Sequence, residues 1–413
     1  MIKKIVYTFI ACATVIVLVF GFTKVSSGKL EVDINHIFGE KIELVNEDFK
    51  VNSLQREKSY YYYNRLSENE KYVYSALIRA IANLEKKVIL DLSEINSEEF
   101  TKVVSKAINS LFADHPEVFY LKRTYSAGIQ KSLLDEKYYL ELDYKVKDKI
   151  ELDEKIADME MAINKIVSKA NKSDIFVNES IIHDEIIKTI KYDYTKDEDA
   201  DTHNSYSALV GKKAVCDGIT KALQLVLDRL DIESLLVTGQ VKEGNHAWCL
   251  VNIEDEWFNL DATSNMAINN GEITMHAFFN IDSESMRKTH VFDNLDELPI
   301  ANVKDKTYYD LFGLHFKNNS TFDQDFKNVL VKFRNRNYIE FKTKDVLSVD
   351  SRFNKILSAD EVFMKNLKDD KIIFYKVADT YIIKNKWLFI YFFLLNIVYR
   401  VIKWDCICIM MRI

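Results

Sequence analysis

Apolar residues recur at Val73, Ala76, Leu77, Ala80, Ile81 and Leu84, spaced as one face of a helix. Ser67-Glu68-Asn69-Glu70 precedes them, and a Ser with a Glu three residues on reads as a capping box that opens that helix. A second helical run carries Phe100, Val103, Val104, Ala107, Ile108 and Leu111 and stops before Pro116. The period then falls to two. Leu140, Leu142, Tyr144 and Val146 alternate with Glu141, Asp143 and Lys145, which predicts a half-exposed strand. Helical spacing returns from about 152 to 190.

After that, Ile219, Ala222, Leu223, Val226, Leu227 and Leu230 predict an amphipathic helix with one buried face, beginning at Cys216. An apolar strand comes next, through Ala247-Trp248-Cys249-Leu250-Val251. Glu254-Asp255-Glu256 suits a turn, so Trp257-Phe258-Asn259-Leu260 is expected to run antiparallel to that strand. Near the C-terminus Ile339 and Phe341 alternate with polar neighbours, Ser358 to Leu367 suits a short helix, and Ile372 to Tyr375 a strand.

These patterns predict an α+β chain with five segments: a targeting segment 1–30, an N-terminal α+β region 31–170, a central domain 171–318, a small α/β unit 319–383, and an apolar tail 384–413. In the first, Lys3 and Lys4 precede an uncharged run from Ile5 to Phe22, then Lys24 and Ser26-Ser27-Gly28. This reads either as a signal peptide or as a membrane anchor, with export of the remainder of the chain. The tail holds an uncharged run, Trp387 to Tyr399, short for a span and suited to a buried or interfacial place.

Charge and composition remove other classes. The net charge of −7 comes from 56 basic and 63 acidic residues dispersed along the chain, with no basic stripe for nucleic acid. Two prolines and ten glycines leave no low-complexity linker. Of five cysteines, Cys12, Cys406 and Cys408 lie in the terminal segments, so Cys216 and Cys249 make no disulfide framework, and no Cys/His spacing suits zinc. Strand alternation turns Cys249 away from His246, so a buried thiol is expected there.

The candidate chemistry is Cys216 in Ala214-Val215-Cys216-Asp217-Gly218, His246 in Asn245-His246-Ala247-Trp248, and Asp261 ending Trp257-Phe258-Asn259-Leu260-Asp261. Taken singly, such residues are most often a core thiol, a structural imidazole and a cap. The ordered set on helix, strand and strand is the layout of a thiol acyl-transfer site, with Cys216 as nucleophile, His246 as base and Asp261 as its orienter. His246 shares a strand face with Trp248 and Leu250, and Asp261 one with Trp257 and Asn259, which lets the two meet. His203, in the polar loop before the cysteine, is a further candidate for substrate contact. His183 shares a helix face with Ile186, Ile187 and Ile190 and is expected to be partly buried.

The set resembles the transglutaminase-like superfamily in its bacterial cell-surface form. The likeness runs over roughly residues 50–315 and is strongest over 205–265. It takes in Ile190-Lys191-Tyr192-Asp193-Tyr194, Phe278-Phe279-Asn280-Ile281, His290 and Asp114-His115-Pro116-Glu117. It implies a papain-like core, a nucleophile helix packed on an antiparallel sheet, no cofactor, and protein or peptide substrates at the cell surface. It departs from the cross-linking enzymes, which carry Gln before and Trp after the nucleophile where Val215 and Asp217 stand, and Cys249 replaces a usual Asn. An acidic Asp217 is expected to attract cationic groups. Hydrolysis of an amide is favoured over transamidation, with a non-catalytic binding domain as the alternative.

Overall fold

The computed structural model describes residues 60–92, 94–131, 136–195, 201–266, 273–318, 320–332, 338–343, 371–377, 380–385 and 409–412. The targeting segment, the expected helix Ser358–Leu367, the run Trp387–Tyr399 and Cys12, Cys406 and Cys408 lie outside them. The chain divides into two compact units, Met1–Asn171 with Tyr192–Val237, and Lys172–Lys191 with Thr238–Ile413. The central segment 171–318 contributes to both.

In the first unit Ser67 opens helix Glu68–Asn83 through its capping box, the Ser67 N–H donating to Glu70 Oε2 at 2.7 Å. Helix Ser97–Asp114 packs against it and is capped by Asn96, whose Oδ1 accepts from the Glu98 and Glu99 N–H groups at 3.0 Å. An antiparallel sheet stands in the order Lys87–Leu90, Glu136–Tyr144, Leu121–Lys131. Its middle strand is the one with visible alternation: Leu140, Leu142 and Tyr144 are buried, while Glu141 and Asp143 are exposed. The flanking strands gave no such signal, one being four residues long and the other carrying Lys, Arg, Ser and Gly in place of a regular apolar set.

Asp114-His115-Pro116-Glu117 ties down the tyrosine run. Asp114 accepts from the Tyr62 and Tyr63 N–H groups at 3.1 and 2.9 Å and from the Tyr74 hydroxyl at 3.2 Å, and burial pushes its carboxyl up to about 6. His115 Nδ1 lies 2.6 Å from Glu117 Oε1.

Helices Lys149–Val167, Ser205–Leu209 and Cys216–Asp228 pack together in the same unit. The last departs from the one-sided burial expected of it. Every residue from Gly218 to Asp228 is buried, including Thr220, Lys221 and Gln224, and the helix stops two residues before Leu230. A helix enclosed on all sides must partner its polar side chains. Gln224 Nε2 donates to Ser234 O at 3.3 Å and Lys221 pairs with Asp217. Gly218 is where the loop comes closest: a Cβ there would stand 2.5 Å from Thr202 O and 2.9 Å from Asn204 O.

The second unit begins with helix Ile175–Thr189. Its four-stranded sheet has the order Glu256–Leu260, Gly244–Ile253, Glu233–Val241, Val291–Phe292, the third strand entering this unit at Thr238. The first two form a hairpin closed at Ile253↔Glu256, and Glu254 and Asp255 make its two-residue turn with φ of 57° and 63°. Two positive φ values in sequence are the turn form that suits the twist of a tight hairpin.

A second sheet, in the order His315–Phe316, Tyr338–Thr343, Thr380–Asn385, Lys371–Val377, Ile409–Arg412, is antiparallel except for its first pair. Phe341 is fully buried beside the rings of Phe316, Phe326 and Tyr381. Its polar neighbour Glu340 is buried too, against the simple alternation expected, because it has an imidazole to meet. Among the described residues no helix is long and apolar enough to cross a membrane.

Candidate active site

The hairpin sets His246 and Asp261. Leu250 faces Asn259 and Cys249 faces Leu260, so the same register carried one step on brings Asp261 alongside Trp248, with His246 diagonal to it. His246 Nε2 lies 2.8 Å from Asp261 Oδ2, with both side chains buried. Burial by itself would raise the Asp261 carboxyl. The charges and hydrogen bonds of His246 and His290 outweigh it and hold the group well below the usual carboxylate range. An ionised carboxylate only accepts, so Nε2 of His246 carries the hydrogen, and when that imidazole is neutral its basic lone pair lies on Nδ1.

Asp261 is held from every side. It is also the N-cap of the short helix Ala262–Asn265, its Oδ1 accepting from the Ser264 N–H at 2.9 Å. The helix cap and the partner of His246 are therefore one residue. The Asp261 N–H donates to Phe278 O at 2.9 Å, and the Phe278 N–H donates to Asn265 Oδ1 at 3.0 Å, so the Phe278–Ile281 segment clamps the turn that presents the carboxylate. Asn259 acts on the same face: its Oδ1 accepts from Trp248 Nε1 at 3.1 Å while its Nδ2 donates to Ile281 O at 3.2 Å.

His290 completes the group. Its Nε2 lies 3.0 Å from Asp261 Oδ2, the oxygen that His246 also uses, and its Nδ1 lies 2.8 Å from Thr289 Oγ1. The sequence placed His290 only in the segment following the aspartate. Fixing its partner required the fold.

Cys216 lies in the first unit as the first residue of helix Cys216–Asp228, half-buried, with Val215 as an extended N-cap. Next to it, Asp217 differs from the expectation of an acidic group turned toward incoming cations. Its carboxylate pairs with Arg123 and with Lys221 Nζ at 3.1 Å, and His203 Nδ1 lies 3.8 Å away. Burial opposes its ionisation, but Lys221, Arg123 and His203 hold it well below the usual range, and burial brings Lys221 down to about 8. The charge of Asp217 is spent on the protein's own cations. His203, half-exposed, belongs to this cluster.

Cys249 is a fully buried thiol on the sheet face opposite His246. His183 is fully buried, more than expected, with Asn265 Nδ2 donating to its Nε2 at 2.9 Å and Asp184 Oδ1 3.3 Å from its Nδ1. Two sets of donor atoms, His246 with Asp261 and His290, and His183 with Asp184 and His276, each lie within 4.8 Å of one another. That spacing would suit a shared cation, and the hydrogen bonds account for it without one.

Residues 162–262, which hold Cys216, His246 and Asp261, match the model of the Transglutaminase-like superfamily. No curated protein matches the chain. Among solved structures, a TGase is similar at 13% identity and a TM-score of 0.26, over 44% of this chain and 52% of that one. A candidate cysteine protease from Cytophaga hutchinsonii is similar at 13% identity and 0.23, over 36% and 65%. Menin, in a structure that reveals its binding site for the Mixed Lineage Leukemia protein, is similar at 16% identity and 0.22, over 31% and 30%. The chain thus spans about half the length of the TGase it resembles.

Proposed function

With residues 162–262 forming a transglutaminase-like segment, we propose that the protein is a cysteine-dependent amide-acyl transfer enzyme in which Cys216 is the nucleophile, His246 the general base and acid, and Asp261 the orienter. The observation that carries this reading is the buried His246 Nε2–Asp261 Oδ2 hydrogen bond of 2.8 Å, which fixes the tautomer such a base needs. A cysteine at the first position of a thirteen-residue helix supports it, because a helix start favours a thiolate and offers N–H groups to an oxyanion.

Cys216 Sγ attacks the amide carbonyl carbon as its proton passes to His246 Nδ1. The tetrahedral adduct collapses to a thioester as the C–N bond breaks, and His246 returns that proton to the departing amine. Water, deprotonated by His246, then releases the acid and restores the thiol, or a second amine takes the acyl group. We favour water, since Val215 and Asp217 stand where the cross-linking enzymes carry Gln and Trp. The substrates in this reading are surface proteins or wall peptides, and the residue 1–30 segment exports the chain, as an anchored or extracellular protein. No nucleic acid and no cofactor take part.

The test is incubation of the full chain with a surface-protein extract and a fluorescent primary amine. Cleavage dependent on Cys216 without amine incorporation supports hydrolysis, and incorporation exceeding cleavage reverses that preference. If neither depends on Cys216, and iodoacetamide alkylates Cys216 no faster below pH 7 than an ordinary thiol, the non-catalytic binding domain is the better account.

A further inference from the structure

We propose that His290 is a positioning residue for this site: it shares Asp261 Oδ2 with His246, and so fixes both the direction of that carboxylate and how much of its charge the base receives. The proposal rests on the reading of His246 as the base.

Three observations carry it. His290 Nε2 lies 3.0 Å from Asp261 Oδ2 and His246 Nε2 lies 2.8 Å from the same atom, so two ring N–H groups converge on one oxygen. Asp261 Oδ1 is taken by the Ser264 N–H at 2.9 Å, leaving the carboxylate no alternative arrangement that would serve both imidazoles. His290 is itself immobilised, with Nδ1 2.8 Å from Thr289 Oγ1 and its ring edge-on to Trp248 and Phe278 at centroid distances of 5.1 and 5.3 Å. Among the described residues, the titratable groups that meet it are Asp261, following strand Glu256–Leu260, and His246, on strand Gly244–Ile253, at a ring distance of 5.5 Å. Burial of all three keeps water from screening the exchange.

These contacts set the direction of the effect. A hydrogen bond from His290 draws charge from the oxygen that stabilises a protonated His246, and any positive charge on His290 opposes that protonation further. Removing His290 leaves the carboxylate to His246 alone, so His246 should protonate more readily and its midpoint should rise.

The experiment tracks the ring signals of the full chain, labelled at histidine Cε1, against pH; the protein has eight histidines, and a His246→Gln variant identifies the one in question. His290→Phe should raise the His246 midpoint by about half a pH unit or more. His290→Gln, whose amide keeps a donor toward Asp261, should return it most of the way. The pH profile of Cys216 alkylation should move in the same direction. A His246 midpoint unmoved in folded His290→Phe overturns the proposal. Should His290→Phe not fold, Thr289→Val decides instead: it removes the partner of His290 Nδ1, and a His246 midpoint unchanged there overturns the proposal equally. A midpoint that moves while Cys216 shows no enhanced alkylation would support the positioning role and count against the catalytic reading, so the two can fail separately.

Discussion

His276 Nε2 lies 2.8 Å from Asp184 Oδ1, joining helix Ile175–Thr189 to the segment that follows the Asp261 turn. The other ring nitrogen meets Glu340, and the ring stacks on Tyr308 at 3.4 Å. Burial by itself would lower the His276 value, but the two carboxylates outweigh it and push it up to about 9. His276 therefore binds its proton more tightly folded than unfolded. Its stabilising contribution is complete below its ordinary value of about 6.5 and is lost as pH rises toward 9. Asp184, where the imidazoles outweigh burial, lies well below its ordinary value, so its contribution is present above about pH 4 and lost as pH falls. Thermal unfolding across pH should show wild type exceeding His276→Gln by on the order of 3 kcal/mol near neutrality. The gap should close by pH 9 to 10. A gap that stays constant with pH would show that the ring is held uncharged.

Single substitutions should separate the three proposed roles. Cys216→Ala should abolish covalent labelling by an electrophilic amide probe, and His246→Ala should nearly do so. Asn caps helices as well as Asp, so Asp261→Asn should keep the fold while the rate falls by on the order of 10⁴-fold through loss of the tautomer. Full turnover in Cys216→Ala would sink the assignment.

Asp217 is expected to behave as a structural ion. Asp217→Ala leaves Arg123 and Lys221 without their shared carboxylate beside a buried helix, and should cost about 3 kcal/mol of stability in denaturant unfolding. A stable Asp217→Ala protein with a changed preference for cationic substrates would restore the role that the sequence suggested.

Gly218 and Cys249 test packing. Gly218→Ala sets a Cβ 2.5 Å from Thr202 O and should cost about 1–3 kcal/mol by calorimetry. Cys249→Ala should cost about 1 kcal/mol and leave labelling at Cys216 unchanged. Loss of that labelling with normal unfolding would place the Cys249 side chain on the face of His246.

The features legible in the sequence are the periodic ones. The capped helix at Glu68–Asn83, the alternating strand ending at Tyr144 and the hairpin around Glu254-Asp255 are all local patterns, readable because neighbours in sequence decide them. The meeting of His246 with Asp261 was readable too, since one tight turn relates their strands. His290 and Glu340 were not. Each finds its partner dozens of residues away, 29 for Asp261 with His290 and 64 for His276 with Glu340, and no repeat along the chain encodes such a pair. The pairing of Asp217 with Arg123, 94 residues apart, escaped for the same reason and reversed the reading of its charge.

The turn at Glu254 and Asp255 fixes more than the hairpin's tip. With Ile253 set against Glu256, every later residue of strand Glu256–Leu260 inherits an odd or even place, and only one parity turns Asp261 toward His246. One residue inserted between Trp257 and Leu260 would deliver the carboxylate to the side of Cys249. Two would return it to the side of His246, directly opposite that residue in place of the diagonal position it now holds. The His246–Asp261 pair depends on arithmetic modulo two, so at this point in the chain an insertion is more damaging than most substitutions.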